Sequence, residues 1–142
     1  MHFITGGAYN GKSKWVREAY GVAKNDQAWI SAYRGDSLKK TFQTVTVIEG
    51  VEHYINESVK IHGEHAKKHW KEKLDEWMKW EQAEEHRHLV LIGCDISKGL
   101  VPMEQGNRLW RDVTGWIYQD IVLLSECTDV IWYGIAERLK GE

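Results

Sequence analysis

Cysteine and proline are nearly absent from this chain: two cysteines and a single proline occur in 142 residues. Cys94 and Cys127 lie far apart and without metal-ligand spacing, which argues against a disulfide framework or a cysteine zinc site and fits a reducing cytoplasm. With proline confined to Pro102, there is no proline-rich linker, and no repeat or low-complexity tract takes its place. No apolar run approaches the roughly 18 residues of a membrane span, and no secretory apolar segment precedes the first motif. A surplus of one charge is missing too. Nineteen Lys and Arg against 21 Asp and Glu leave a formal charge of −2, without the basic field of a nucleic-acid binder, so small-molecule partners are favoured.

What is present is an ordinary globular composition, 42% hydrophobic and 28% charged, with eight tryptophans. A chain of this size buries roughly 70% of the surface that its unfolded form exposes, enough for one domain spanning 1–142 with a sizeable core. Hydrophobic periodicity orders that domain. His2 to Thr5 reads as a strand, and Trp15, Val16, Ala19, Tyr20 and Ala23 are spaced as a helix over Lys12 to Ala23. Gln27 to Tyr33 and Thr44 to Glu49 read as strands. Two helices follow Gly50, with a break near Gly63; the second carries Ala66, Trp70, Leu74 and Trp77 on one stripe. His88 to Cys94 reads as a buried strand, Gly106 to Ser125 as a helix, and Asp129 to Tyr133 as the last core strand. Strands alternating with helices predict an α/β fold, a mostly parallel sheet with helices on both faces.

The stretch GGAYNGKS, Gly6 to Ser13, satisfies the spacing G-x-x-x-x-G-K-[ST] between a predicted strand and a predicted helix. Such a P-loop turns its backbone N–H groups toward phosphate oxygens and adds the positive end of a helix dipole. The phosphate-binding residues are therefore Gly6, Gly7, Ala8, Tyr9, Asn10, Gly11, Lys12 and Ser13. Lys12 is expected to reach the β- and γ-phosphates of ATP or GTP, and the Ser13 hydroxyl to ligate Mg²⁺. Glu49 and Asp95 each close or follow an apolar strand, and in a parallel sheet both fall on the P-loop's edge. Glu49 is the better candidate for the carboxylate that supports Mg²⁺, and Asp95 for a proton acceptor. Together these features read as a P-loop NTPase-like (RecA-like) nucleotide-binding domain.

Three other groups stand out. His62, His65 and His69 at i, i+3 and i+7 could face a metal, but the charged stretch GEHAKKHWKEK around them reads as a solvated helix face. Trp70, Trp77 and Trp80 read as core or subunit contact. Arg108 and Arg111 lie three apart on one helix, placed either to neutralise transferred phosphate or to pair with Asp112 or a neighbouring subunit.

The segment CDISKGLVPMEQGNRLWRDVTGWIYQD, Cys94 to Asp120, resembles the adenosylcobinamide kinase / adenosylcobinamide-phosphate guanylyltransferase family. Gly99, Val101, Pro102, Arg108, Arg111, Asp112, Gly115 and Gln119 fall on positions of that family's pattern, with Leu100 and Trp110 as conservative replacements. Glu49 in VIEGV falls on its acidic strand-end residue, and GGAYNGKS on its P-loop. The chain departs from the pattern at Asn10, Cys94, Asp95, Ser97 and Tyr118. The resemblance implies a homotrimeric enzyme of cobalamin biosynthesis or salvage that uses ATP or GTP to phosphorylate the aminopropanol hydroxyl of adenosylcobinamide. It also implies a second, guanylyltransferase step through a histidine between the second and third strands. Here that connection is Arg34 to Gln43, RGDSLKKTFQ, which contains no histidine and offers only Lys39 or Lys40 as a relocated acceptor. A kinase without the transferase step is therefore expected, the alternatives being the full bifunctional enzyme or a nucleotide- or corrinoid-binding subunit that has lost turnover.

Overall fold

The computed structural model describes residues 1–8, 10–38, 41–96 and 105–142. Tyr9, Lys39, Lys40, Ser97, Gly99, Leu100, Val101 and Pro102 lie outside the described residues.

Among the described residues, six strands form one sheet. They are β1 (His2–Gly6), β2 (Trp29–Ser31), β3 (Val45–Glu49), β4 (His88–Cys94), β5 (Cys127–Trp132) and β6 (Ile135–Lys140). Their order is β2-β3-β4-β1-β5-β6, with β1 to β5 parallel and β6 antiparallel to β5. The helices are α1 (Lys12–Tyr20), α2 (Val51–His62), α3 (Ala66–Gln82) and α4 (Gln105–Leu124). The expected α/β fold with a mostly parallel sheet is what the chain adopts.

Side-chain alternation along the strands separates two apolar layers. Phe3, Ile30, Ile48, Leu89 and Leu91 face α2, α3 and α4, where Trp70, Leu74, Ile117 and Ile121 are fully buried. Ile4, Trp29, Val47, Val90, Ile92 and Ile131 face the other way and pack against Val16 and Trp15 of α1. Helices therefore cover both faces, and the near-continuous apolar runs of β3 and β4 follow from burial on both sides. Trp70 and Trp77 are core, with their rings edge to face at 5.7 Å, and Trp80 packs at its margin against Phe42.

Three boundaries differ from expectation. α1 stops at Tyr20, not Ala23, because Gly21 takes a left-handed C-cap (φ 66°) and returns its N–H to the Arg17 carbonyl. β2 holds only Trp29 to Ser31; the Ser31 side chain then caps a 3₁₀ turn over Ala32–Arg34, diverting the expected longer strand. The last core strand runs over Cys127–Trp132, not Asp129 to Tyr133, and a two-residue turn at Tyr133 and Gly134 leads from it into the exposed edge strand β6.

Candidate functional site

β1 delivers the GGAYNGKS loop to the centre of the sheet's C-terminal edge, and two glycines are sterically required there. At Gly6 (φ +143°) a Cβ would stand 2.5 Å from the Ile131 carbonyl of the neighbouring strand. Gly11 (φ +85°) is the N-cap of α1, and a Cβ there would meet the Gly134 backbone at 3.3 Å. No side chain caps α1 and no acidic residue occupies its first turn, which leaves its N-terminal N–H groups directed at the loop. Lys12 spans the loop, its Nζ donating to the Gly7 carbonyl at 2.7 Å.

Across the edge, β3 ends at Glu49. Its carboxylate accepts hydrogen bonds from the Ser13 hydroxyl and, at 3.0 Å, from the Trp29 indole N–H, and Lys24 stands 4.0 Å away. Burial pushes the Glu49 carboxyl up, but the hydrogen bonds from Ser13, Trp29 and Ser31, with the Lys24 charge, outweigh it and hold the group below the usual carboxylate range. Ser13 and Glu49 thus form a pair of hard oxygen donors, one of them firmly ionised, which fits Mg²⁺.

These groups open onto a cavity of about 780 Å³. Four cationic side chains, Lys12, Lys14, Arg17 and Lys24, line it against two carboxylates, Glu49 and Glu52. Ala8, Asn10, Gly11, Lys12 and Ser13 of the expected phosphate loop all line the same space. A cavity of this size with cations concentrated along α1 and just after it suits a polyanionic small molecule.

Glu52, in the first turn of α2, had no place in the sequence reading. It is 2% exposed and accepts from the Tyr33 hydroxyl at 2.8 Å and the Cys94 N–H at 2.9 Å. Its own carbonyl accepts from the Trp110 indole at 2.8 Å, so one residue ties the start of α2 to β4, α4 and the turn after β2. The signal for it was the second carboxylate in VIEGVE, one helical step beyond the strand end. Burial, then the Glu52 charge, drives the Tyr33 phenol well above its usual range, so Tyr33 donates at neutral pH. Cys94 lines the cavity as a thiol: burial raises its pKa against the opposing pull of Lys12.

The other expected residues fall elsewhere. Asp95 ties the start of the GGAYNGKS loop to β4 through its backbone, its N–H donating to the Gly6 carbonyl at 2.9 Å. Its side chain does not line the cavity that holds Lys12; with Arg111, Thr114 and Gln119 it lines a second cavity, of about 550 Å³, on the α4 side. Ile96 borders both. Arg111 pairs with Asp112, Nε to Oδ1 at 3.6 Å, and Arg108 is exposed on α4. Neither arginine is among the described residues lining the cavity that holds Lys12.

His62 and His69 stack on each other with ring centroids 3.8 Å apart. Among the described residues, the one cluster of potential metal ligands is instead His2, Cys127 and Asp129. Its polar atoms are already engaged. Tyr20 bonds His2 Nδ1 at 2.6 Å, Asp129 bonds His2 Nε2 at 2.5 Å, and Arg138 supplies the cation at 2.7 Å from the second Asp129 oxygen.

No helix among the described residues is long and apolar enough to cross a membrane. Compared with known proteins, the chain matches no protein-family model and no curated protein.

Proposed function

We propose that this chain is a P-loop kinase of the RecA-like type that transfers the γ-phosphoryl group of ATP or GTP to an alcohol, the aminopropanol hydroxyl of adenosylcobinamide. The observation that carries the nucleotide reading is the bond between Ser13 and Glu49 beside Lys12, since it joins the hydroxyl of the G-K-S turn to an ionised strand-end carboxylate. The choice of acceptor rests on the resemblance of the segment Cys94 to Asp120 to the cobinamide kinase family.

In this reading Lys12 and the N–H groups of Gly7 to Ser13 bind the β- and γ-phosphates, and Lys14, Arg17 and Lys24 offset the remaining charge. Ser13 and Glu49 would hold Mg²⁺, which when bound neutralises charge on the β- and γ-oxygens. The acceptor hydroxyl oxygen attacks the γ-phosphorus in line as the bond to the β-phosphate oxygen breaks, releasing nucleoside diphosphate. Two carboxylates lie near enough to the edge to take the hydroxyl proton. Glu52 shares the cavity with Lys12, whereas Asp95 lines the second cavity, so we favour Glu52. Phosphoryl transfer depends chiefly on positioning and charge stabilisation, so proton acceptance by this carboxylate is secondary to the placement of the phosphates.

The homotrimer implied by the resemblance is supported by Leu123, Ile135 and Leu139, which are 60–76% exposed near the open β6 edge. The guanylyltransferase step is not proposed. It needs a nucleophile that attacks the α-phosphorus and later leaves, a task for neutral imidazole that protonated lysine does poorly, and Arg34 to Gln43 contains no imidazole. Following nucleoside diphosphate release tests the kinase reading: release that depends on added adenosylcobinamide is expected, and none in its presence would remove the reading.

A further inference from the structure

The turn joining β5 to β6 contains a residue that the fold does not explain. Trp132 pairs with Ile135, so the connection is the two residues Tyr133 and Gly134, both at positive φ (51° and 78°). Such tight hairpin turns favour Asn-Gly, Asp-Gly or Gly-Gly, because a side chain with a Cβ is strained at positive φ and only short polar ones compensate. A tyrosine at the first position is unfavourable for the turn. It also contributes almost nothing to packing, being 90% exposed.

The turn is fastened to the P-loop. Gly134 donates its N–H to the Asn10 carbonyl at 2.8 Å, and its backbone sits against Gly11 so closely that a Cβ on Gly11 would stand 3.3 Å from it. Tyr133 is thus held in register with the phosphate loop although it is remote in sequence.

Sheet order places Glu49 and the hairpin on opposite sides of β1. From β1, the side toward β4 and β3 leads to Glu49, and the opposite side leads to β5 and the hairpin. With its terminal phosphates in the cavity that holds Lys12, Ser13 and Glu49, on the β3 side of the loop, a nucleoside triphosphate laid back across the loop toward β5 brings its base to the hairpin. We propose that Tyr133 is the stacking platform for the nucleobase, a sequence-tolerant π-surface that accepts either purine. This rests on the phosphate-loop reading above. An exposed phenol ring on a turn bonded to the loop itself positions an aromatic face with little entropy to lose on binding, and such stacking contributes to affinity without reading base edges.

Calorimetric titration of the full chain with Mg-ATP, Mg-GTP and magnesium tripolyphosphate tests the proposal, because tripolyphosphate carries the phosphates without a base. Tyr133→Asn should weaken both nucleotides about tenfold, the size of one base–aromatic stack, and leave tripolyphosphate unchanged. The same substitution creates the favoured Asn-Gly turn, so the thermal midpoint should rise and misfolding cannot account for the loss. Tyr133→Phe should retain wild-type affinity. Unaltered nucleotide affinity in Tyr133→Asn, with or without a change in oligomeric state, would overturn the proposal, as would equal losses for tripolyphosphate. If the wild type binds tripolyphosphate as tightly as nucleotide, the platform alone is refuted; if it binds neither, the phosphate-loop reading goes as well.

Discussion

Ser13 and Glu49, 36 residues apart in sequence, are joined by a hydrogen bond from the Ser13 hydroxyl to a Glu49 carboxylate oxygen. The bond exists because β1 and β3 run parallel with only β4 between them, so the turn that leaves β1 and the residue that ends β3 reach the same edge. Trp29 fixes the other oxygen of Glu49 at 3.0 Å, which orients the carboxylate before any ligand arrives.

Glu49→Gln keeps the size of that side chain and its bond to Trp29 or Ser13 but removes the charge. Turnover should fall about a hundredfold, the scale expected when charge stabilisation through a metal is weakened, while nucleotide affinity measured in EDTA stays near wild type. Steady-state kinetics across a Mg²⁺ series, paired with binding in EDTA, check both halves. Wild-type turnover at every Mg²⁺ concentration would contradict the role.

Lys12→Ala removes the internal bond to the Gly7 carbonyl and, in the proposed reading, a charge-assisted contact to the phosphates. Affinity for Mg-ATP should fall between about tenfold and a hundredfold, matching the ~1.5–3 kcal/mol of a hydrogen bond to a charged group. Because Lys12 is only half-buried and lies in no apolar cluster, folding stability should change by no more than about 0.5–1.5 kcal/mol, the net contribution of its one bond to the Gly7 carbonyl. Calorimetry and urea denaturation of the same preparation measure the two effects.

Gly93→Ala should destabilise the fold by about 1–3 kcal/mol, since the new methyl would stand 2.5 Å from the Tyr118 hydroxyl. Tyr118 cannot simply withdraw. Its ring packs edge to face on Phe3 at 5.1 Å, and its hydroxyl donates to the Cys94 carbonyl at 2.7 Å. Adding Tyr118→Phe removes the nearest clashing atom, so the double variant should lose less stability than the two single losses summed, as read from urea midpoints.

Acid should weaken the fold through the pair His2 and Asp129. Burial lowers the His2 pKa by more than Asp129 raises it, so the folded ring stays neutral at pH values where the unfolded ring, titrating near 6.5, is already protonated. The unfolded state then binds the extra proton, and stability declines as pH falls through about 6.5 toward the folded pKa. Burial raises the Asp129 pKa, but Arg138 and His2 together bring it below the usual 3.8; its contribution is complete above the unfolded value and is lost as pH falls through the folded one. Both effects have the same sign. Urea midpoints should drop between about pH 7 and pH 5, and His2→Gln should flatten that drop; a flat wild-type profile would contradict the assignment.

The parallel core was legible because β3 and β4 carry near-continuous apolar runs, a pattern that burial on both faces imposes, and because Trp70, Leu74 and Trp77 repeat at the helical period. β6 was not legible. Its residues IAERLK are exposed on both faces at most positions, so neither alternation nor an apolar run marks it. Within the site, Lys12, Ser13 and Glu49 could be read from local spacing, since a loop between strand and helix and a carboxylate at a strand end each carry their own context. Glu52 and Asp95 could not be ranked that way. Which cavity a carboxylate at the sheet edge faces depends on the helix packed beside it, and Trp110 of α4, bonded to the Glu52 carbonyl, comes from a segment 58 residues further along.

The central claim is phosphoryl transfer to an alcohol, and mass spectrometry of the products tests it most directly. Wild-type protein is incubated with Mg-ATP or Mg-GTP, with and without adenosylcobinamide, and both small molecules and intact protein are weighed. The account predicts nucleoside diphosphate and adenosylcobinamide phosphate in equal amounts, formed only when both substrates are present, with no GDP-linked corrinoid and no guanylyl group added to the protein. Unmodified adenosylcobinamide after prolonged incubation with bound Mg-ATP and Mg-GTP would contradict it.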